Sequence, residues 1–294
     1  MMRFTVLAAL VLVAARALAQ TPVDDAERLL TTYHEDRTRI DRARDLLEQA
    51  LSRDRRVETM ITLSRTYLLV GEVRATTTDE KLLAYERGRE LGKRAVELSP
   101  RSEDAHFWYA ANTGRWGQTK GVMRSLMLLP TMREEVDLLL AMNPRSARVR
   151  NVAAGFSFEV PGLLGGDRKK AEEHWKTALD IDPHYTVARV DYARLLAATD
   201  RFDEARRQLR RVLDEPSPTN RADWIVRDVP RARTLLESIK DRKQAGRDAR
   251  PCGACDMRPC GSARSSAVCS ARRRPGTRPP SRGWRKRVTI RSVS

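Results

Sequence analysis

Between Trp108 and Lys120 the chain gathers side chains suited to recognition: Trp108, Tyr109, Asn112, Arg115, Trp116 and Lys120. Indole rings can wall an apolar pocket and still offer an N–H, and a guanidinium grips a carboxylate with two parallel donors. Gly114, Gly117 and Gly121 lie in the same stretch and permit tight turns that other residues resist. Such a set suits a small organic acid or a carboxylate on a partner protein. The plainer alternative is a helix–helix corner packed by aromatics. A second candidate is Gly165-Gly166 ahead of Asp167, where consecutive glycines precede a helix as in phosphate-cradling loops. Neither a Gly-Lys-Ser/Thr run nor a preceding strand accompanies them, so a structural loop with Asp167 as helix cap is the favoured role.

Catalytic chemistry has little material. His34, His106, His174 and His184 show no His-Glu-x-x-His spacing. His174, between Glu173 and Trp175, reads as a packing or surface residue. Cys252 and Cys255 have the spacing of half a zinc site, but Cys260 and Cys269 do not supply the other half, and no histidine lies near them. No catalytic residue, metal or cofactor is expected, and the protein reads as a non-enzyme.

The formal charge of +17 suggests an acidic partner until it is placed along the chain. Residues 251–294 carry +10 of it and Arg3 and Arg16 another +2, leaving +5 for residues 21–250. There the charges alternate along helical faces, as on solvated helices, and no face is wholly basic. A nucleic-acid partner is therefore not expected. Residues 251–294 contain no Leu, Glu, Phe or Tyr but ten Arg, seven Ser and five Pro. They cannot bury enough apolar surface to offset chain ordering, so residues 246–294 read as a disordered basic tail. The abrupt change of composition fits a shifted reading frame equally well. At the other end, Arg3 precedes an apolar run from Phe4 to Ala15 and then Ala17-Leu18-Ala19. That is the layout of a cleavable export signal over residues 1–19, too short to span a bilayer. Without a cysteine after it, the expectation is a soluble periplasmic chain starting at Gln20.

The elements that would position these residues follow from a repeat. Ala171, Trp175, Ala178 and Leu179 recur 34 residues on as Ala205, Leu209, Val212 and Leu213, the tetratricopeptide period. The same stripe appears as Ala43, Leu47, Ala50 and Leu51, and more weakly as Gly88, Gly92, Ala95 and Val96. Spacing of i, i+4, i+7 puts each set on one helical face. Helices end alike at Ser99-Pro100, Asn143-Pro144 and Asp182-Pro183, because proline cannot donate the helical hydrogen bond. Tyr109 and Tyr192 follow their prolines at the same distance and read as core residues between repeats. The pattern predicts helices near 24–34, 36–53, 57–71, 80–98, 102–114, 123–142, 146–158, 168–181, 186–198 and 202–214, with a capping helix near 219–243 interrupted at Pro230. Residues 20–245 thus form one all-α, tetratricopeptide-like array of helical hairpins, an α-solenoid. Departures from the period fall at 73–79, a polar connection given no role, at 106–130 and at 160–167.

Two blocks resemble a known family. Trp108-Tyr-Ala-Ala-Asn-Thr-Gly-Arg-Trp116 through Lys120-Gly121 to Leu128-Leu129-Pro130, and Pro161-Gly-Leu-Leu-Gly-Gly-Asp-Arg-Lys-Lys-Ala171 through His174-Trp175 to Ala178-Leu179, are similar to the T-component (TatT-like) family of TRAP transporters. That resemblance covers roughly residues 35–215. It implies an accessory protein outside the inner membrane that binds a periplasmic solute-binding protein or a small organic ligand, and a homo-oligomer is plausible in that family. A more distant resemblance is to eukaryotic regulators of microtubule dynamics, which share a helical-repeat block of this kind. The alternative function is a general envelope scaffold joining protein partners along its groove.

Overall fold

The computed structural model describes residues 21–242. The expected export signal, the expected disordered tail and all four cysteines lie outside them. Every regular element among the described residues is helical. In chain order they are α1 (Pro22–Thr31), α2 (Arg39–Arg53), α3 (Val57–Leu69), α4 (Thr78–Leu98), α5 (Glu103–Lys120), α6 (Val122–Met127) and α7 (Leu129–Met142). There follow α8 (Ala147–Glu159), α9 (Arg168–Ile181), α10 (Thr186–Ala198), α11 (Phe202–Leu213), α12 (Arg221–Asp223) and α13 (Val229–Ser238). Widened π turns continue α3 through Val70–Arg74 and join α12 to α13 through Trp224–Asp228. None of these helices is long and apolar enough to cross a membrane.

Local chemistry explains most boundaries. Thr21 with Asp24, and Thr77 with Glu80, form reciprocal capping boxes at the starts of α1 and α4. Ser102, Ser146 and Asp167 cap α5, α8 and α9 by accepting from free first-turn amides. The stops at Ser99, Asn143 and Asp182 stand where the prolines were read. Repeat stripes point inward: Ala171, Trp175, Ala178, Ala205, Leu209 and Val212 are all fully buried. Trp175 packs edge-on to Phe158 with centroids 5.7 Å apart, and its N–H donates to Asn151 at 2.8 Å. Tyr109 and Tyr192 are buried, as their position after the turn prolines requires.

Successive helices pair as hairpins, and first helices pack on first helices in two series, α1–α3–α5 and α8–α10–α13, which α7 joins by packing on both α5 and α8. The tightest crossing is α4 on α5. A Cβ on Gly88 would lie 2.3 Å from the Asn112 side chain, and one on Gly92 would lie 2.8 Å from the Tyr109 backbone. Only glycine lets the two helices approach that closely.

Three boundaries differ from the periodicity. The expected end near 114 is absent, because α5 runs unbroken to Lys120 with Gly114 and Gly117 inside it. Gly117 is a contact point, since a Cβ there would sit 2.9 Å from Leu128 Cδ1. The packing it allows outweighs the roughly 1 kcal/mol cost of glycine within a helix. The turn falls at Gly121, whose φ of 104° most side chains resist, and the single helix expected over 123–142 is split at Leu128 into the short α6 and α7. Finally, the cap is interrupted just ahead of Pro230 rather than at it, by the π turn over Trp224–Asp228. Pro230 occupies the first turn of α13, where its missing N–H costs little.

Candidate functional site

Charged side chains from the first helices of the hairpins converge where those helices face one another. Glu72, in the π turn after α3, pairs with Arg115 of α5 at 2.7 Å and with Arg227 of the capping segment at 2.6 Å. Arg227 also meets Asp223 at 3.3 Å, and Asp223 accepts the Tyr33 hydroxyl at 2.6 Å. Asp191 of α10 binds Arg231 of α13 and lies 3.6 Å from Arg194, which reaches Glu159 of α8 at 2.8 Å. Asp228 accepts from Thr186 at 2.7 Å. On the α1 side, Arg65 pairs with Glu27 at 2.5 Å.

The capping segment makes this convergence possible. Thr219 bonds back to Asp182 at 2.7 Å and to the His184 carbonyl at 3.2 Å, while the Trp224 N–H donates to the Val212 carbonyl at 2.7 Å. The same segment also enters the first hairpin: Ala222 is fully buried in one cluster with Ala26, Leu30, Tyr33 and Ile40, and Val226 packs against that cluster. The segment therefore ties the first hairpin to the last.

Burial and charge set these groups apart from their ordinary titration. Burial alone would raise Glu72, but the guanidiniums of Arg227 and Arg115 outweigh it and hold the carboxyl below its usual range. Asp191 behaves likewise through Arg231 and Arg194. Asp228 goes the other way: burial pushes it up to about 6 despite the Thr186 bond and two nearby arginines. The arrangement is a set of compensated ion pairs, which holds elements in register. Two histidine–carboxylate pairs also form, His106 with Glu135 and His184 with Glu215, both at 2.7 Å. The first is shut from solvent, with His106 Nε2 held by the Pro100 carbonyl at 3.1 Å, so no substrate reaches it.

The residues singled out from the sequence do not share one surface. Asn112 is fully buried and donates to the Ser64 carbonyl, the Ser64 hydroxyl and the Trp108 carbonyl at 3.0–3.2 Å. It is a cross-brace between α3 and α5, not a ligand donor, because its amide donors are taken up inside the core. Tyr109 lies against Gly92, and Trp116 packs with Leu68 and Tyr85, so both are packing residues. Trp108 is half-buried, edge-on to Phe107 at 4.8 Å, with Arg65 5.8 Å over its ring. Arg115 joins the charge network rather than standing free. Of the residues between 108 and 120 singled out as a recognition set, Lys120 alone is exposed, 5.9 Å from the Trp116 ring centroid. Gly165 and Gly166 form a structural loop: their amides and that of Asp167 donate to the carbonyls of Gly162, Pro161 and Ser157. With those donors satisfied internally, the loop has none aimed at an anion.

Sequence reasoning missed Glu72, Asp191, Arg227 and Arg231, which lie on three separate parts of the chain, the last two on the capping segment, and carry no joint signal. It also gave no role to residues 73–79. In the structure Arg74, Ala75 and Thr76 line an open cleft of about 520 Å³ with Asp41, Tyr67 and Arg87.

A repeat family and one solved structure agree with the architecture. A tetratricopeptide repeat profile matches residues 163–220. The structure is similar to a thermophilic TPR protein of Thermus thermophilus, with 23% identity, a TM-score of 0.53, and coverage of 72% of this chain and 99% of that one. MamA aligns at 16% identity and a TM-score of 0.41 over 67% of this chain and 96% of its own. The chain is also 20% identical over 207 residues to Regulator of microtubule dynamics protein 3 of Bos taurus, covering 65% of this chain and 44% of the bovine protein. It thus spans less than half the length of that relative. The profile described as Regulator of microtubule dynamics protein 1-3 matches residues 23–177, more than half of the chain, and the chain belongs to that family.

Proposed function

We propose that residues 20–245 act as a non-catalytic scaffold that holds protein partners on a stacked-hairpin surface. The observation that supports this is the array itself: tetratricopeptide-like hairpins present extended helical faces suited to laying down a partner segment. The buried His106–Glu135 pair and the ion-paired inner face add support, since neither offers a reachable acid–base set. The bovine relative is named as a regulator of microtubule dynamics, and the shared helical block supports protein binding for this chain. Cross-linking with mass spectrometry on the full chain in its native cells tests the reading. Reproducible cross-links to one or more proteins are expected, and their absence would sink it.

A narrower version, an accessory to a TRAP-type uptake system binding a solute-binding protein or small organic acid, draws support only from the two sequence blocks at 108–130 and 161–179. A carboxylate ligand at Arg115 would have to share the guanidinium with Glu72, which holds its Nε at 2.7 Å, and with Gln118. Thermal-shift screening with small organic acids, alongside pull-down of solute-binding proteins, addresses it; no shift and no such protein would exclude both forms. For location, the Arg3 to Ala19 pattern supports export to the periplasm. Amino-terminal sequencing of the isolated chain should begin at Gln20.

A further inference from the structure

The surface around α6 differs from the rest of the described residues. This helix buries none of its side chains. Val122 is 77% exposed, Met123 74% and Met127 65%, so three large apolar residues stand in water on one short element. Burial therefore does not hold α6 in place. It is tethered from behind, where Leu128 closes on Gly117.

Beside it, three cations surround a single indole. Arg89, Lys120 and Arg124 lie 5.4, 5.9 and 5.8 Å from the Trp116 ring centroid. None of the three makes an ion pair among the described residues, whereas Arg87 and Arg94 of α4 and Arg115 of α5 all do. Like charges gathered without counter-charge repel one another, and the ring face offsets only part of that. The Trp116 N–H itself has no hydrogen-bond partner. An apolar patch rimmed by uncompensated positive charge is complementary to a segment with carboxylates beside an apolar stripe.

We propose that α6 and the cations around Trp116 form a docking site for an acidic amphipathic segment of a partner protein. The site deepens the scaffold reading and rests on it. Apolar residues of the partner cover Val122, Met123 and Met127, where unbranched methionines adapt to the opposing surface. Its carboxylates neutralise Lys120, Arg124 and Arg89. A protein segment is favoured over an anionic membrane by size and charge. Six residues span only about 9 Å of helix, and residues 21–250 carry a net charge of only +5, little to hold the chain on an anionic bilayer.

Photo-crosslinking in the full chain tests this. A photoreactive amino acid replaces Met123, with a control at the exposed Leu163 of the 160–167 loop, and adducts formed in native cells are sequenced by mass spectrometry. Position 123 should capture a peptide rich in Asp and Glu with apolar residues at helical spacing, and position 163 should not. The double variant Lys120→Glu/Arg124→Glu should lose that adduct at least tenfold at unchanged melting temperature. Should that variant unfold, Met127→Glu on the exposed face carries the same readout. Lipid adducts, basic or neutral peptides, no adduct at all, or an adduct that survives charge reversal would overturn the site. Cross-links to partners at other positions would leave the scaffold reading standing while removing this site; no partner anywhere removes both.

Discussion

Tyr33, in the first hairpin, donates its hydroxyl to Asp223 at 2.6 Å across 190 residues of sequence. Its ring is fully buried among α1 and α2 residues, and burial together with Asp223 and the nearby charges pushes the phenol far above its ordinary range. The contact joins the amino-terminal hairpin to the cap that seals the other end.

Tyr33→Phe keeps the ring and removes the bond. A hydrogen bond to a charged group contributes about 1.5–3 kcal/mol, so the urea midpoint should fall by that equivalent with little change in slope. A midpoint equal to wild type would show that the closing contact carries no stability.

Glu72→Gln removes the ion pair of Arg115 and leaves Arg227 with Asp223 alone at 3.3 Å, which costs at most about 3–5 kcal/mol at pH 7. Because Glu72 titrates below its usual range when folded, its contribution is present above the unfolded pKa and is lost as pH falls through the folded one. Chemical denaturation at pH 7 and at progressively lower pH should show the gap between wild type and variant closing on the acid side. A gap that is independent of pH would contradict the ion-pair account.

Asp228 has the opposite sign. Raised by burial to about 6, it favours the folded state fully only below the unfolded carboxylate pKa, and that contribution is lost as pH rises through about 6. Asp228→Asn retains an acceptor for Thr186 and should gain about 1–3 kcal/mol at pH 7.5. The gain should vanish near pH 4. A variant less stable than wild type at pH 7.5 would mean that attraction to Arg231, 3.8 Å away, outweighs burial.

Gly88→Ala should destabilise by about 2–4 kcal/mol, an overpacking cost, because the new methyl would lie 2.3 Å from the buried Asn112 amide. Asn112→Ala should also destabilise, through the lost bonds to Ser64 and Trp108 and the cavity left between α3 and α5. The double variant should be less damaged than the sum of the two, since one methyl then fills space the amide vacated. Strict additivity in thermal melts would argue against a shared contact.

The stripe at Ala171, Trp175 and Ala178 marked a buried face because period 3.6 leaves one side of a helix inward whatever it packs on. Gly117 misled, since its cost to a helix is local while the compensating approach of Leu128 is not. Asn112 looked like a ligand donor because its amide is polar; only its position opposite Gly88 and Ser64 makes it a cross-brace.

By itself the sequence determined the hairpins, their caps and their proline stops, since each rests on interactions within a turn or two of chain. Closure of the array was decided by tertiary structure. Whether Ala222 reaches Leu30, or Glu72 reaches Arg227, depends on the small rotation added at every hairpin, and no single segment encodes that sum.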